Sequence, residues 1–345
     1  SIMSIRSLFL AAVLLGADMA LAADTAVPEV SATAATAAAL QKADAARRSA
    51  DFKEAYALYK TLAEQGNARA EAKIGTMYAQ GELGKRDMAE AIAHYDKAAE
   101  AGDGYAQFLL GVAFRDGSGV EKHDTESGRW FAKAEENLRK AALRQDAEAQ
   151  YLLGIMYREG INVVESKKES GRWLQKAAEK GNPSAQVAYG HFLYDENEDT
   201  AGLLTWWEKA AAQGEIRAQL NLASAYTKGY YGVSKDQAKA DEWYRRALPT
   251  LEKAALQGAI AAQTSLGERY LRGEGFAANP EKAQEWLEKA ATQDNVAAQV
   301  LLGRSYLKGE GLPADPEKAR LWLEKAAAQG NKIARSLLDE LPENK

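Results

Sequence analysis

The residues best suited to metal chemistry in this sequence form one acidic run at positions 195–199. The run begins like a calcium-binding loop, in which carboxylate and amide oxygens alternate along the chain. Such a loop needs glycine at its sixth position and a bidentate glutamate at its twelfth. Here those positions contain Thr200 and Trp206. We therefore interpret the run as a solvated acidic turn and expect no metal site.

Imidazole and thiol chemistry are equally poorly represented. The chain contains no cysteine, which excludes disulfides, thiolate zinc sites and cysteine nucleophiles. His94, His123 and His191 lie far apart in the sequence, without the spacing of metal ligands. No serine–histidine–aspartate or paired-carboxylate pattern stands out among the acidic residues. The sequence predicts a protein that is not an enzyme and that binds no cofactor.

The tryptophans could stack on nucleic-acid bases, but charge and spacing argue for packing instead. The formal net charge is −5 and the isoelectric point is about 5.6, whereas nucleic-acid binding needs a positive surface. All but Trp207 occupy one position of a repeated pattern: Trp130, Trp173, Trp206, Trp243, Trp286 and Trp322. We therefore expect these indoles, like the tyrosines that recur in another position, to form the core between repeats, and we expect no nucleic-acid partner.

The repeated pattern is clearest near the C-terminus, where residues 262–291 recur as residues 298–327. A Lys-Ala-Ala tripeptide marks the register, starting at Lys97, Lys140, Lys176, Lys209, Lys253, Lys289 and Lys325. Repeats 36 residues long, the distance from 262 to 298, indicate stacked units that share one continuous core.

Each unit reads as a pair of helices. Ala262, Leu266 and Tyr270 lie on one helical face, and Gly267 between them indicates close approach of another helix. Gly273 is placed to end this helix in a left-handed conformation, and Pro280 to open the second helix. Neither helix can bury its apolar face alone, so the stack must do so.

The spacing also predicts irregularities. Two intervals of the Lys-Ala-Ala register are longer by about one heptad, which adds two turns to a helix while hardly rotating its face. We therefore expect longer second helices in the third and sixth pairs, with Pro249 kinking or interrupting the sixth. Counting from a degenerate first pair gives eight helix pairs and a short closing helix around Ile333, Leu337 and Leu341.

The motif Ala-x-Gln-x-x-Leu-Gly-x-x-Tyr-x-x-Gly-x-Gly, followed by Ala-x-x-Trp-x-x-Lys-Ala-Ala, resembles the Sel-one-like repeat of the tetratricopeptide-repeat superfamily. The resemblance covers roughly residues 35–341, with local departures at Gln145, Leu193 and Ala223. It implies an all-α fold: a right-handed α-solenoid of about eight helix-turn-helix repeats with a C-terminal capping helix. In this fold the first helices line a concave surface.

The N-terminus predicts export. A basic start at Arg6, an apolar run and Ala20-Leu21-Ala22 are typical of a secretory signal peptide over residues 1–22. Residues 23–34 are predicted to form a flexible linker, and residues 35–345 the repeat solenoid. Without a cysteine for lipidation, we expect a periplasmic monomer with no integral membrane segment after cleavage; secretion from the cell is the alternative.

Partner binding must use positions that the repeat does not fix. We expect the positions after the glycine and after the Ala-Gln pair of the first helices to be exposed, giving an apolar and aromatic row in the third to fifth pairs. Two adjacent tyrosines lie in the turn of the sixth helix pair. A turn tolerates such bulky side chains only if other residues cover them or a partner binds them. The predicted partner-binding residues are Phe108, Val112, Tyr151, Ile155, His191, Phe192, Asn221, Tyr230 and Tyr231. The competing interpretation is that several of these positions pack inside the array.

The predicted function is therefore non-enzymatic protein binding. The resemblance implies, among periplasmic members, immunity proteins that neutralise phospholipase effectors of type VI secretion, and this is our first hypothesis, with a lipase effector as partner. The alternatives are an envelope scaffold for exopolysaccharide export and a secreted protein that binds a host protein. A carbohydrate-binding accessory role lacks support, because no tryptophan lies outside the repeat positions.

Overall fold

The computed structural model describes residues 30–342, and within them the chain is helical, with loops between the helices. There are 17 α-helices and one 3₁₀ turn, Tyr230–Gly232, in this part of the chain. The helices are α1 Val30–Arg48, α2 Phe52–Glu64, α3 Ala68–Ala79, α4 Met88–Glu100, α5 Gly104–Asp116, α6 Asp124–Leu143, α7 Ala147–Glu159, α8 Lys167–Glu179, α9 Pro183–Asn197, α10 Thr200–Ala212, α11 Ile216–Lys228, α12 Gln237–Leu256, α13 Ile260–Arg272, α14 Pro280–Ala291, α15 Val296–Lys308, α16 Pro316–Ala328 and α17 Lys332–Leu338.

From α1 to α10 and from α13 to α16, consecutive helices pack as pairs and each pair packs on the next, while α11 packs on α10 and α17 on α16. The described residues thus contain eight pairs and the closing helix α17, which confirms the all-α solenoid prediction. Helix α1 begins at Val30, inside the segment predicted as linker. The predicted signal peptide and residues 23–29 lie outside the described residues. No helix among residues 30–342 has both the length and the apolar character needed to cross a membrane.

The turns follow the capping chemistry that the sequence predicts. Asn182 begins α9 by accepting a hydrogen bond from the Ala185 backbone N–H at 2.8 Å. Gly273 ends α13 with φ +68°, the left-handed conformation that favours glycine. Asn279 and Pro280 open α14. These signals set the helix boundaries one pair after another.

The glutamine of the Ala-Gln motif joins each of the third to eighth pairs to the preceding one. In α5, Gln107 Nε2 donates to the Ala99 carbonyl at the end of α4, at 3.0 Å. The same bond runs from Gln299 to the Ala291 carbonyl, also at 3.0 Å. It recurs from Gln150, Gln186, Gln219 and Gln263. The side chain satisfies a carbonyl that the helix end leaves without a partner, so the motif is a joint between pairs.

The glycine inside each first helix allows the close approach that the sequence predicts. A Cβ at Gly154 would lie 2.7 Å from Leu174 Cδ2, and one at Gly190 would lie 2.8 Å from Trp207 Cδ1. The contacting side chain always comes from the position after the repeated tryptophan. That position, rather than the tryptophan, supplies the side chain that packs against the glycine.

The repeated tryptophans are therefore less buried than expected. Trp173 and Trp322 are buried, but Trp130, Trp206, Trp243 and Trp286 are only half-buried. Three residues after each, a Lys or Arg places its charge over the indole, as Lys209 does over Trp206 at 4.3 Å. The prediction of a tryptophan core between repeats was thus wrong for these four side chains. They line the edge of the second helices, each with one face covered by its own cation.

Two second helices are long, as predicted. Helices α6 and α12 have 20 residues each, against 12 or 13 in the other second helices from α4 onward. Pro249 lies inside α12 without interrupting it, contrary to one form of the prediction.

The chain divides into two compact units, and the division falls within α12, between Thr250 and Leu251. One unit contains Asp87–Thr250 and the described residues up to Ala79. The other contains residues 251–342 and the turn Gln80–Arg86. In this second unit the turn is fixed by hydrogen bonds from Ile260 N to the Gln80 carbonyl, at 2.9 Å, and from Arg86 to Gln293.

Candidate partner-binding surface

The 3₁₀ turn after α11 places a tyrosine in the middle of an aromatic cluster. Gly229 ends α11 in the left-handed conformation, and Tyr231 also has a positive φ, +57°. A non-glycine residue in this region is strained unless its surroundings hold it there. Thr200 at the start of α10 does so by donating its hydroxyl to the Tyr231 carbonyl at 2.6 Å.

We define the aromatic cluster as His191, Tyr194, Trp207, Tyr230 and Tyr231. The Tyr231 ring meets Tyr194 at 5.2 Å, Trp207 at 5.4 Å and His191 at 5.5 Å between ring centroids, in edge-to-face arrangements. Trp207 is fully buried and donates its indole N–H to the Val187 carbonyl at 3.2 Å. At the outer edge Tyr230 is 53% exposed. The cluster therefore has a fixed base and an open aromatic edge.

His191 contributes to this cluster as a neutral ring. Burial, followed by the charges of Arg217 and Arg158, lowers the pKa of His191 to about 3. Its ring lies edge-to-face on Trp207 at 4.8 Å. At neutral pH the side chain carries no charge and is too weak a base for acid–base chemistry. Its place in the structure is that of an aromatic wall between two arginines.

Beside the cluster, α11 presents two hydrogen-bond donors one helical turn apart. Arg217 Nε and Asn221 Nδ2 are buried atoms, and neither has a hydrogen-bond partner among the described residues. The carboxylate nearest to Arg217 in the ion pairs of this part of the chain is Glu215, at 4.0 Å, beyond hydrogen-bonding distance. We call Arg217 and Asn221 the donor pair of α11. Buried donors without acceptors are uncommon in native proteins and require an explanation.

The same two repeat positions in α3 are occupied by Arg69 and Lys73, which we call the basic pair of α3. Arg69 binds Asp103 at 2.9 Å, Glu148 at 2.8 Å and Asp146 at 3.4 Å. The ammonium of Lys73 binds Glu148 at 2.7 Å. These partners come from the following first helices, α5 and α7, or from the residues that cap them. Both cations are thus satisfied within the chain.

The ion pairs of α3 continue into α1 as a buried charge cluster. Tyr59 donates its hydroxyl to Asp44, and both side chains are buried. Burial raises the pKa of Asp44 to about 6, although Lys73 counteracts the effect. Burial also opposes the charged form of Glu148, but Lys73 and Arg69 outweigh it and lower its pKa to about 2. The pKa values of the two carboxyl groups are therefore shifted in opposite directions, upwards for Asp44 and downwards for Glu148.

Four of the predicted partner-binding residues lie inside the array. Phe108, Val112, Tyr151 and Ile155 are all buried, so the expectation that their positions are exposed was wrong. The reason is that α5 contacts both neighbouring first helices, α3 and α7, as well as its own second helix α6. Phe108, for example, lies against Phe131 of α6 at 5.6 Å. The competing interpretation, packing between pairs, holds for these four positions.

The other five predicted residues are at least partly accessible. His191, Tyr230 and Tyr231 meet in the aromatic cluster, and Asn221 is half of the donor pair. Phe192 instead lies over Gly171 of α8 and stacks on Tyr189 at 6.0 Å. The structure thus brings together three of these five residues, His191, Tyr230 and Tyr231.

The other residues considered as candidates for catalysis or metal binding form helix caps and ion pairs. In the acidic run, Asp199 caps α10 by accepting from Gly202 N at 2.8 Å, and Glu198 takes the left-handed conformation. His123 caps α6, and His94 binds Glu71 at 2.8 Å. Within residues 30–342, no group of three or more acidic, histidine or cysteine side chains is placed to hold a metal ion.

Sequence reasoning missed Trp207, Tyr194 and Arg217. Trp207 was assigned to the core, and it is buried, but it is also the base on which His191 and Tyr231 pack. Arg217 could have been found by aligning the first helices, since it shares its position with Arg69. When the first helices are aligned, α3 and α11 both have an arginine at this position. Only α3 has acidic residues at the start of the first helices that follow it.

A family model described as Sel1 repeat matches residues 44–67, 68–103, 104–145, 147–182, 204–215, 216–248, 260–295 and 296–331. A comparison with proteins of curated function gives no match. Among solved structures, the chain is 30% identical to a Sel1 repeat protein from Oxalobacter formigenes, covering 82% of this chain and 88% of that one, with a TM-score of 0.34. It is 28% identical to a protective antigen of uropathogenic Escherichia coli that displays an SLR fold, over 84% and 76% of the two chains, with a TM-score of 0.36. It is 21% identical to an immunity protein from Pseudomonas aeruginosa, over 66% and 82%, with a TM-score of 0.41.

Proposed function

The chain belongs to the Sel1 repeat family, and we propose that it is a non-enzymatic protein whose aromatic cluster binds a protein partner. The observation that carries the proposal is the open edge of that cluster. Tyr230 is 53% exposed above a rigid, buried base. Rigid aromatic side chains at the centre of a contact contribute most to the affinity of protein interfaces.

More specifically, we propose a periplasmic immunity protein that acts as a monomer and neutralises a phospholipase effector of type VI secretion. The support for export is the signal-peptide pattern of residues 1–22, and the absence of cysteine supports a form without a lipid anchor. The support for the immunity role is the repeat motif, which resembles that of periplasmic immunity proteins. The effector would dock on the aromatic cluster.

The direct test uses a phospholipase effector of type VI secretion as the probe. We expect the full-length protein to bind it in titration calorimetry and to protect cells that express it in the periplasm. Tyr230→Ala combined with Tyr231→Gly should weaken binding at least about tenfold, because two aromatic anchors are lost while glycine suits the left-handed backbone. Leu143→Ala is the matched control, since Leu143 is 69% exposed on α6, outside the cluster.

Three results would contradict the proposal. Full protection by the double variant would show that the cluster is not the contact. Binding only to components of an export machinery would replace the immunity role with that of a scaffold. A chain found in the culture supernatant, or one whose N-terminal sequencing shows residues 1–22 still attached, would contradict a soluble periplasmic protein. Light scattering after size exclusion tests the monomer.

A further inference from the structure

We propose that a cavity in the second compact unit binds the side-chain amide of a glutamine from a partner protein. The cavity has a volume of about 420 Å³, and its walls include Leu256, Gln263, Trp286, Lys289, Thr292 and Gln293. All six residues belong to the unit that contains residues 251–342. The cavity shares no residue with the aromatic cluster, so it is a second binding site beyond the proposed function.

The wall of the cavity contains a buried acceptor that lacks a donor. Gln263 is only 5% exposed, and its Nε2 donates to the Ala255 carbonyl at 3.2 Å as the joint between two pairs. Its Oε1 is buried and accepts no hydrogen bond from any residue in the range 30–342. A buried amide oxygen without a donor costs free energy, so a group that enters the cavity should bring one.

In three other pairs, the oxygen at this repeat position accepts from a side-chain amide. The donors and acceptors are Gln213 Nε2 to Gln186 Oε1 at 3.0 Å, Gln329 Nε2 to Gln299 Oε1 at 2.9 Å, and Asn137 Nδ2 to Gln107 Oε1 at 2.9 Å. All three donors are carboxamides, and two of them are glutamines. The repeat therefore places this acceptor where it receives a carboxamide.

In the seventh pair, the chain's own glutamine is turned away from this acceptor. Gln293 follows the lysine of its Lys-Ala-Ala tripeptide by four residues, as Gln213 and Gln329 follow theirs. Its Nε2 donates to a carbonyl of α14 at 3.2 Å, and its Oε1 accepts from Arg86 N at 3.0 Å. Both Gln293 and Gln263 line the cavity. The place that a glutamine of the chain fills in the fifth and eighth pairs is thus available to a glutamine of another molecule.

The other polar groups of the wall favour a neutral ligand over an anion. Lys289 Nζ lies 4.6 Å from the centre of the Trp286 ring and pairs with Glu285 at 3.3 Å, so its charge already has partners. The hydroxyl of Thr292 donates to the Glu288 carbonyl at 2.8 Å. The acceptor of Gln263 therefore decides which polar group fits.

Apolar side chains in the same wall suit the methylene groups of a glutamine and its neighbours in a partner. Trp286 is half-buried, and Leu256 is 75% exposed. A partner that inserts a glutamine beside them removes this apolar surface from water, which adds to the affinity.

The test compares three peptides that differ in one side chain. Isotope-labelled full-length protein is titrated with acetyl-Leu-Gln-N-methylamide and, separately, with the peptides that have Glu or Met in place of Gln. The N-methylamide end makes the glutamine side chain the only primary amide of the probe. We expect the glutamine peptide to shift the NMR signals of the Trp286 indole N–H and the Gln263 side-chain amide. It should bind about fivefold more tightly than the other two, the difference that one neutral hydrogen bond makes.

The fourth pair contains matched controls for these signals. Gln150 and Trp173 occupy the repeat positions of Gln263 and Trp286, and Gln150 Oε1 also lacks a partner in the described part of the chain. Neither Gln150 nor Trp173 lines the cavity, so their signals should stay in place.

Two variants at exposed positions test the cavity without disturbing the core. Thr292→Trp places a large side chain in the cavity and should abolish the shifts. Leu256→Ala removes part of the apolar wall and should weaken binding of the glutamine peptide. Leu143→Ala is its control, because Leu143 has the same repeat position on α6, is 69% exposed and does not line the cavity.

Equal affinity for the three peptides would show that the cavity recognises only apolar surface, and tighter binding of the glutamate peptide would show that Lys289 selects an anion. Either result overturns the proposal. So does the absence of shifts up to the solubility limit of the peptides, or a shift of Trp173 as large as that of Trp286. The tyrosine double variant tests effector binding separately, so the proposed function can stand when this site fails.

Discussion

Helices α3 and α11 present donors at identical repeat positions, yet the α3 donors bind carboxylates whereas Arg217 Nε and Asn221 Nδ2 have no hydrogen-bond partner among residues 30–342. The guanidinium of Arg69 meets three carboxylates, whereas Arg217 has only Glu215 nearby, at 4.0 Å. The repeat pattern determines where a side chain points. The residues one and two repeats further along determine whether it finds an ion-pair partner within the chain. In a solenoid, a binding surface can therefore arise by losing acceptors as well as by gaining contacts.

The largest effect in this comparison should come from removing the shared acceptor of the basic pair. Glu148→Ala removes the carboxylate that Arg69 and Lys73 both bind, and the Lys73 side chain is only 1% exposed. Removing one partner of a buried ion pair destabilises a protein by about 3–5 kcal/mol. We expect a loss of that size in the free energy of unfolding, measured by urea titration. Glu136→Ala removes an exposed carboxylate that pairs with Lys140, and it should cause no measurable change. An equally small effect for both would mean that the cluster of α3 is not a stabilising network.

Exchanging the two arginines tests the contrast itself. Arg69→Met leaves three carboxylates of the cluster with fewer partners, so it should cost about 3 kcal/mol. Arg217→Met removes a buried donor that has no acceptor and should change stability by less than about 1 kcal/mol, in either direction. Urea titrations of both variants give the difference directly. Equal losses would show that Arg217 is satisfied within the chain.

The buried charge cluster should also make stability depend on pH in a specific way. The pKa of Asp44 is raised from 3.8 to about 6, so between these values the folded chain holds a proton that the unfolded chain has released. Its contribution to stability is therefore lost as the pH rises through this window. The pKa of Glu148 is lowered from 4.5 to about 2, so its contribution is lost as the pH falls through that range.

Asp44→Asn isolates the first of these terms. The stability of the variant relative to the wild type should increase as the pH rises from about 4 to about 6 and then level off, as shown by urea midpoints at each pH. The exposed Glu64→Gln should show no such trend. A flat difference for Asp44→Asn would indicate that this carboxyl group titrates normally in the folded protein.

The smallest expected change concerns the second donor of α11. Asn221→Leu replaces a half-buried amide whose Nδ2 has no partner by an apolar side chain of similar size. We expect a small stabilisation, below about 1 kcal/mol. A clear destabilisation in thermal unfolding would show that the amide has a structural bond, and would weaken the contrast with Lys73.

Much of the fold was predictable because its signals are local and recur. The glycine of the first helix, the left-handed Gly273 and the opening Pro280 each act within a few residues, and the structure has them in the predicted roles. The lengthened α6 and α12 followed from the interval between repeats in the same way.

The candidate site was only half predictable, because exposure depends on distances between pairs. Ile155 shares its repeat position with accessible residues of other pairs, such as Arg304, but close contact among α3, α5 and α7 buries it. The position of Phe108 is buried in the second to eighth pairs alike. The ion pair of Lys73 with Glu148 joins residues 75 apart in the sequence, and no local pattern announces it. Tyr230 and Tyr231 could be identified from the sequence because two bulky side chains in a turn are unusual whatever the spacing of the repeats.

The glutamine that ties each helix pair to the one before it has an evolutionary consequence. Because donor and acceptor carbonyl recur from the third to the eighth pair, a whole repeat can be deleted or duplicated by recombination within this part of the chain and the new junction will close with the same bond. Long-range partners do not transfer in this way. Excising one copy between Arg69 and Glu148 would shift every such pairing by one step, so changes in copy number would retune recognition while preserving the architecture.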